Sequence, residues 1–266
     1  DLSALKDCDA LVLAVPAQTL RTFAAAIRNS LPLAAPLVIA AKGIEISTGL
    51  LPSDVLGEML PGRPLAILSG PNFASEIARG LPAASTLACA DAVLGTALVQ
   101  RLGRPTFRPY LSDDVTGAQI GGAVKNVLAI ACGIVIGRKL GDNARAALIT
   151  RGLAEMSRLG LSLGAKRETL MGLSGLGDLV LTCSGTQSRN LSLGIALGEG
   201  QSLQQIMGAR RTVAEGVHTA QAIEALAGKH GVDKPICAAV DAVLHKTKGI
   251  DDTLAALHAR PFKTEA

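Results

Sequence analysis

Lys125 and Asn126 stand together inside a long apolar stretch, Ala118 to Gly137, whose residue types promise burial. Burying an ammonium is unfavourable unless it is paired or deprotonated, and burial lowers a lysine pKa toward the range where it exchanges protons near neutrality. A lysine so placed suits general acid and base work. The plainer account is an amine that snorkels to the surface, or pairs with a carboxylate only to satisfy itself. The Asn126 amide extends the polar intrusion and is what a site for hydroxyls or carbonyls would use. A second cluster is GLSGLGDLVLTCSGTQSRN, residues 172 to 190. Its glycines let backbone approach something closely, Asp178 follows them, and Ser188 is suited to cap a helix formed by NLSLGIALG. A helix N-terminus with Arg189 and Asn190 on its first turn offers backbone N–H groups, a positive dipole end and a guanidinium, the outline of a phosphate site. A capped surface helix with a solvated arginine accounts for the same residues. The glycine spacing is G-x-x-G-x-G with no strand before it, which is not a dinucleotide fingerprint.

Three loops add to these clusters. AKGIE places Lys42 at the end of one apolar run, SGPNFASEIARG turns at Gly70 and Pro71 with Asn72 opening a helix, and VPAQTLR offers Pro16 and Gln18. Each is either a simple turn or part of a cleft at the carboxyl edge of an open α/β sheet, where such sheets bind ligands; three on one edge favour the cleft. The histidines, His218, His230, His245 and His258, have no metal-ligand spacing, and no G-x-S-x-G elbow is present. Acid–base work therefore falls to lysine, and no metal is expected.

The elements that must position these residues are short apolar runs alternating with helical patterns. Strands are expected at residues 10–15, 36–42, 65–70, 84–90 and 106–111, with TLRTFAAAIRNSL and AVLGTALVQRL reading as helices among the connections. Continuous hydrophobicity says that both strand faces are covered, and the intervening helices imply parallel pairing through right-handed crossovers. The fold class is α/β, a doubly wound parallel sheet, followed after about residue 112 by helices alone. VTGAQIGGAVKNVLAIACGIVIG and ARAALITRGLAEMSRLG are the longest. The expected domains are 1–112, α/β, and 113–266, all-helical.

Composition closes off several classes. A chain of 266 residues with 48% hydrophobic and 18% charged residues builds its own core. Four Phe, one Tyr and no Trp, with a net charge of only +4, leave no stacking platform for nucleic acid, so no nucleic-acid partner is expected. A membrane span is not expected either, since a lysine at mid-helix costs roughly 2.5–3.5 kcal/mol to insert. Five widely spaced cysteines without a C-x-x-C pair read as reduced thiols in a cytoplasmic protein.

Taken together, AVPAQTLR, AKGIE, SGPNFASEIARGLP, GGAVKNVLAI, NARAALITRGLAEMSRLG, GLGDLVLTC, QSRN and TVAEGV resemble the bacterial NAD(P)-dependent glycerol-3-phosphate dehydrogenase family. They occur in that family's order over residues 10 to 217, about four fifths of the chain. The resemblance implies a Rossmann-type sheet, incomplete at its N-terminus, before a helical substrate domain. It implies an oxidoreductase that moves a hydride between NAD(P)H and dihydroxyacetone phosphate to give sn-glycerol 3-phosphate, with a role in phospholipid biosynthesis. The cofactor would be NAD or NADP, the partner a small phosphorylated substrate, and a homodimer is allowed.

By position, Lys125 matches the family's proton donor and acceptor, with Asn126 beside it. Lys42 matches a residue shared by substrate and cofactor. Gly70 and Asn72 match substrate contacts, Asp178 and Thr182 residues lining the site, and Ser188, Arg189 and Asn190 the phosphate-holding triplet. Ala74, Val213 and Glu215 match cofactor contacts, as does Arg189. The family opens with a strand and a G-x-G-x-x-[GA] turn that receives the cofactor pyrophosphate, and no such turn occurs after Asp1. Two expectations follow: a fragment that begins after that unit, or a cofactor-deficient chain that binds a phosphorylated ligand without turnover.

Overall fold

The computed structural model describes residues 2–209, 214–261 and 264. Five strands, β1 Leu11–Leu13, β2 Leu37–Ile39, β3 Leu65–Ser69, β4 Ala83–Ala88 and β5 Phe107–Ser112, form one sheet in sequential order. The helices are α1 Leu20–Ile27, α2 Pro52–Met59, α3 Ala74–Ala78, α4 Ala92–Leu102, α5 Val115–Gly137, α6 Asp142–Ser162, α7 Arg167–Leu170, α8 Asp178–Ser184, α9 Arg189–Gly198, α10 Leu203–Gly208, α11 Glu215–Lys229, α12 Pro235–His245 and α13 Ile250–His258. Among the described residues, every strand precedes Val115.

Both faces of the sheet are covered, as continuous hydrophobicity implies. Leu37, Ile39 and Ile67 pack under Leu20, Ala24 and Ile27 of α1 and Val55 and Leu56 of α2. Val38, Ala66 and Leu87, pointing the other way, meet Leu98 of α4. The cover gives out at the β1 edge, where Val12 is 46% exposed, because α4 lies over β4 and β5 at the opposite end.

One pairing departs from the expected parallel pattern. β1–β2, β2–β3 and β4–β5 are parallel, but β3 and β4 run antiparallel, with Ile67 opposite Ala88. The reason is the connection. Five helical residues in α3 rise only about 7.5 Å, against about 16 Å for the five residues of β3. The chain therefore stays at the carboxyl end of β3 and enters β4 from there. That helix also begins two residues later than expected, at Ala74 rather than Asn72, with Phe73 as its N-cap.

The helical part is built around α5, whose bounds are those of the helix VTGAQIGGAVKNVLAIACGIVIG read from the sequence. Asp114 caps it, its Oδ1 accepting from the Gly117 N–H at 2.7 Å, while its Oδ2 accepts from the Lys166 N–H at 2.7 Å. By length and composition α5 could cross a membrane, yet 89% of its apolar window is buried inside the protein, covered by α6, α8, α9 and α11. Its glycines set the closest of these contacts. A Cβ at Gly133 would stand 2.2 Å from the Leu191 carbonyl oxygen, and one at Gly194 of α9 would stand 2.1 Å from the Ile130 oxygen. α5 and α9 thus meet backbone to backbone, which fixes the start of α9 relative to Lys125.

Candidate active site

Four segments converge on one cleft of about 460 Å³. The carboxyl ends of β1 and β2 supply Ala14, Val15, Ala40, Ala41 and Lys42. The β3 exit supplies Asn72, Phe73, Ala74 and Ser75. The middle of α5 supplies Lys125 and Asn126, and the helices beyond it supply Asp178, Leu181, Thr182, Gln187, Ser188, Arg189, Asn190 and Glu215. Gly70 does not line the cleft itself, but its carbonyl oxygen accepts from Lys42 Nζ at 3.0 Å. Val213 lies outside the described residues. The VPAQTLR loop acts at one remove: Gln18 donates to the Ile44 carbonyl at 2.7 Å and accepts from the Ile46 N–H at 3.1 Å, strapping down the loop that carries Lys42.

Asp178 is the hub. Fully buried, it accepts from Lys125 Nζ on Oδ1 and from Lys42 Nζ on Oδ2, each at 2.6 Å. Thr182, one turn further along α8, holds Lys125 beside the carboxylate: Lys125 Nζ donates to Thr182 Oγ1 at 2.9 Å, and that hydroxyl donates to the Asp178 carbonyl at 2.6 Å. Lys125 is 7% exposed, so it does not snorkel. Burial pushes its pKa down to about 8, the positive charge of Lys42 adds to the fall, and Asp178 opposes it. The amine can therefore give and take a proton near neutral pH.

The opposite wall is built on the start of α9. Ser188 is its N-cap, its Oγ accepting from the Leu191 N–H at 3.1 Å. The first-turn N–H groups have no helical acceptor, so the positive end of the helix and the exposed Arg189 guanidinium face the same space. Three cationic side chains, Lys42, Lys125 and Arg189, line the cleft against two carboxylates, Asp178 and Glu215. Burial raises the Glu215 pKa, and its main counterweight is a backbone hydrogen bond from Ala17. The balance suits a small anion.

The close approach allowed by the glycine-rich turn is to neighbouring chain segments. A Cβ at Gly175 would stand 1.9 Å from the Leu170 carbonyl oxygen, and one at Gly121 of α5 would stand 2.3 Å from the Ser174 oxygen. The close approach is between chain segments, and it serves to seat Asp178 against α5. Two further contacts escaped the sequence reading. The Ser75 hydroxyl bonds Gln187 Oε1, and Gln187 Nε2 donates to Glu76 Oε1 at 3.1 Å, joining the two walls at the exposed rim. Both partners sit inside motifs already singled out, SGPNFASE and QSRN, but nothing in one dimension pairs them.

Comparison with known proteins points to one family. A family model described as the NAD-dependent glycerol-3-phosphate dehydrogenase N-terminus matches residues 2–94, and the corresponding C-terminus model matches residues 114–255. The chain is 55% identical over 265 residues to the glycerol-3-phosphate dehydrogenase [NAD(P)+] of Parvibaculum lavamentivorans, covering 100% of this chain and 80% of that one. It is 56% identical over 262 residues to the protein of the same name from Rhodospirillum rubrum, covering 98% and 75%. Among solved structures, the glycerol-3-phosphate dehydrogenase of Coxiella burnetii superposes with a TM-score of 0.94 at 39% identity, over 98% of this chain and 80% of that one.

Proposed function

The chain belongs to the NAD-dependent glycerol-3-phosphate dehydrogenase family, and from that membership we propose that it interconverts dihydroxyacetone phosphate and sn-glycerol 3-phosphate with Lys125 as general acid and base. The observation that carries this reading is a buried amine, 2.6 Å from Asp178 Oδ1, opening on the same cleft as Arg189 and the N-terminus of α9.

The residues at the sheet edge fit the nicotinamide end of an NAD or NADP cofactor. Ala14, Val15, Ala40 and Ala41 make a wall of small side chains at the ends of β1 and β2, suited to a flat ring, with Lys42, Ala74, Arg189 and Glu215 around it. In its reduced form the bound cofactor supplies the hydride that adds to C2 of the substrate. Charged Lys125 gives its proton to the C2 oxygen, so that the carbonyl becomes a secondary alcohol. In the reverse direction neutral Lys125 takes that proton back. Asp178 and Thr182 hold Nζ in place throughout, and Asp178 also holds Lys42. The substrate phosphate is assigned to Ser188, Arg189 and Asn190, where N–H groups and a guanidinium meet it.

The work divides along the chain: residues 1–112 carry the cofactor wall, and 113–266 carry the proton donor and the phosphate turn. A cytoplasmic location goes with this reading, supported by five cysteines that are all free. The test is turnover with glycerol 3-phosphate against a panel of 2-hydroxy acids and sugar acids, followed at the nicotinamide absorbance with NAD and with NADP. Turnover confined to glycerol 3-phosphate supports the proposal. Turnover of a hydroxy acid in its place refutes it.

A further inference from the structure

Asn190 and Asn126 form a chain of amides whose direction is fixed by a backbone group. The Gly216 N–H, at the start of α11, meets the Asn190 side chain at 3.0 Å. A backbone N–H only donates, so the Asn190 atom facing it is Oδ1. The Asn190 nitrogen then faces Asn126, to which it donates at 2.9 Å, and the atom receiving it is Asn126 Oδ1. The nitrogen of Asn126 is thereby turned away from Asn190, and it has no protein acceptor among the described residues. Asn126 is 5% exposed and Asn190 7%, both line the cleft, and Asn126 is the next residue after the proton donor. The relay also depends on the absence of a side chain at its root. A Cβ at residue 216 would stand 2.7 Å from the Asn126 carbonyl oxygen and 2.8 Å from Asn190 Oδ1.

We infer that Asn190 is a positioning residue that acts through Asn126, holding the Asn126 amide nitrogen toward the substrate oxygen that Lys125 protonates. The inference rests on the dehydrogenase reading and deepens it, because the phosphate turn would then also set a hydrogen-bond donor at the reacting carbon. An Asn amide has nearly the same shape either way round. Without the relay, Asn126 can turn its Oδ1 to the substrate, and two acceptors would then oppose each other as negative charge builds on the C2 oxygen. With it, a donor stands ready in a dry site, where a fixed hydrogen bond has its greatest effect on the transition state. Lys125 and Asn126 would then act on one oxygen, the lysine supplying the proton and the amide stabilising the charge before transfer is complete.

A double-mutant cycle on the full chain, read in kcat with dihydroxyacetone phosphate and NADH, tests this. Asn126→Ala and Asn190→Ala are each expected to lower kcat by about tenfold or more, a modest share of what a preorganised donor contributes. In the Asn126→Ala background, Asn190→Ala should change kcat by less than about twofold, since its effect has already been removed. Asn190→Ser, which cannot span both Gly216 and Asn126, should behave as Asn190→Ala does and provides a second, milder probe should the alanine variant fold poorly. Two results overturn the inference: kcat losses that multiply in the double variant, or an Asn190 effect confined to KM, which would leave Asn190 as a phosphate contact alone. An unaltered chain that does not turn over dihydroxyacetone phosphate would instead remove the dehydrogenase reading on which the relay stands.

Discussion

Asp178, with no exposed surface, holds two ammoniums at 2.6 Å each, whereas Arg189 lies exposed at the rim of the same cleft with the N-terminus of α9 behind it. Both corners are cationic, but their surroundings differ. In the dry corner the charge of Lys125 is close to its tipping point, because burial and Lys42 push the proton off while Asp178 keeps it on. At the rim, water screens the exposed Arg189 guanidinium. One corner is arranged to move a proton and the other to meet an anion. The first should therefore govern turnover and the second affinity.

Lys125→Ala should give the largest effect and the cleanest break between the corners. Losing a positioned acid and base typically lowers kcat by about 10²- to 10⁴-fold, while the phosphate grip at α9 is untouched, so KM for dihydroxyacetone phosphate should stay near its original value. Steady-state kinetics reads both at once. A variant with near-normal kcat would remove the lysine from the mechanism.

Arg189→Ala should do the converse. A hydrogen bond to a charged group contributes about 1.5–3 kcal/mol, and the exposure of this arginine argues for the lower end, so KM for dihydroxyacetone phosphate should rise roughly tenfold with kcat largely kept. The loss should also shrink as salt is added, since the Debye length is about 8 Å at physiological ionic strength. An Arg189 variant whose defect lies in kcat would show that the two corners are not separable.

Much of this arrangement could be read from residue types alone. The limits of α5 are those of the helical pattern VTGAQIGGAVKNVLAIACGIVIG, and Ser188 is recognisable as a cap from its place before an apolar run. What periodicity does not carry is pairing at a distance. Asp178 meets Lys42 across 136 residues and Lys125 across 53, so the hub appears in sequence only as an aspartate after some glycines. Those glycines were legible as close approach, but not as approach to Leu170 and α5. The antiparallel β3–β4 pair was missed because short apolar runs separated by a helical pattern look the same whichever way the chain returns. Only the shortness of α3 decides it.

The pH dependence of the reaction sharpens the contrast further. Below about pH 8 Lys125 is charged and can donate, so reduction should be fast there and fall as pH rises through that value. Oxidation of glycerol 3-phosphate, which needs the neutral amine, should rise over the same interval. Arg189→Ala should leave the position of both limbs unchanged. Lys42→Met should move them to higher pH, because it removes the neighbouring positive charge that helps to depress Lys125 and leaves Asp178 to that amine alone. Rate profiles in both directions check this, and a limb that stays in place in the Lys42 variant would mean that burial alone sets the value.

The smallest expected effect lies at the bridge between the walls. Gln187 joins Ser75 and Glu76, at the β3 exit, to the residues just before α9, and all of it is at the exposed rim. Exposed hydrogen bonds such as these contribute at the bottom of the range of about 0.5–1.5 kcal/mol, so Gln187→Ala should raise KM for dihydroxyacetone phosphate by roughly two- to threefold. The α5–α9 contact, made by glycine backbones well below the rim, does not depend on this bridge and should keep the phosphate turn at its distance from Lys125. If that contact is what sets the spacing, kcat and its pH limbs will not move when the bridge is cut. A fall in kcat at unchanged KM would instead show that the rim controls the geometry of the proton-transfer corner.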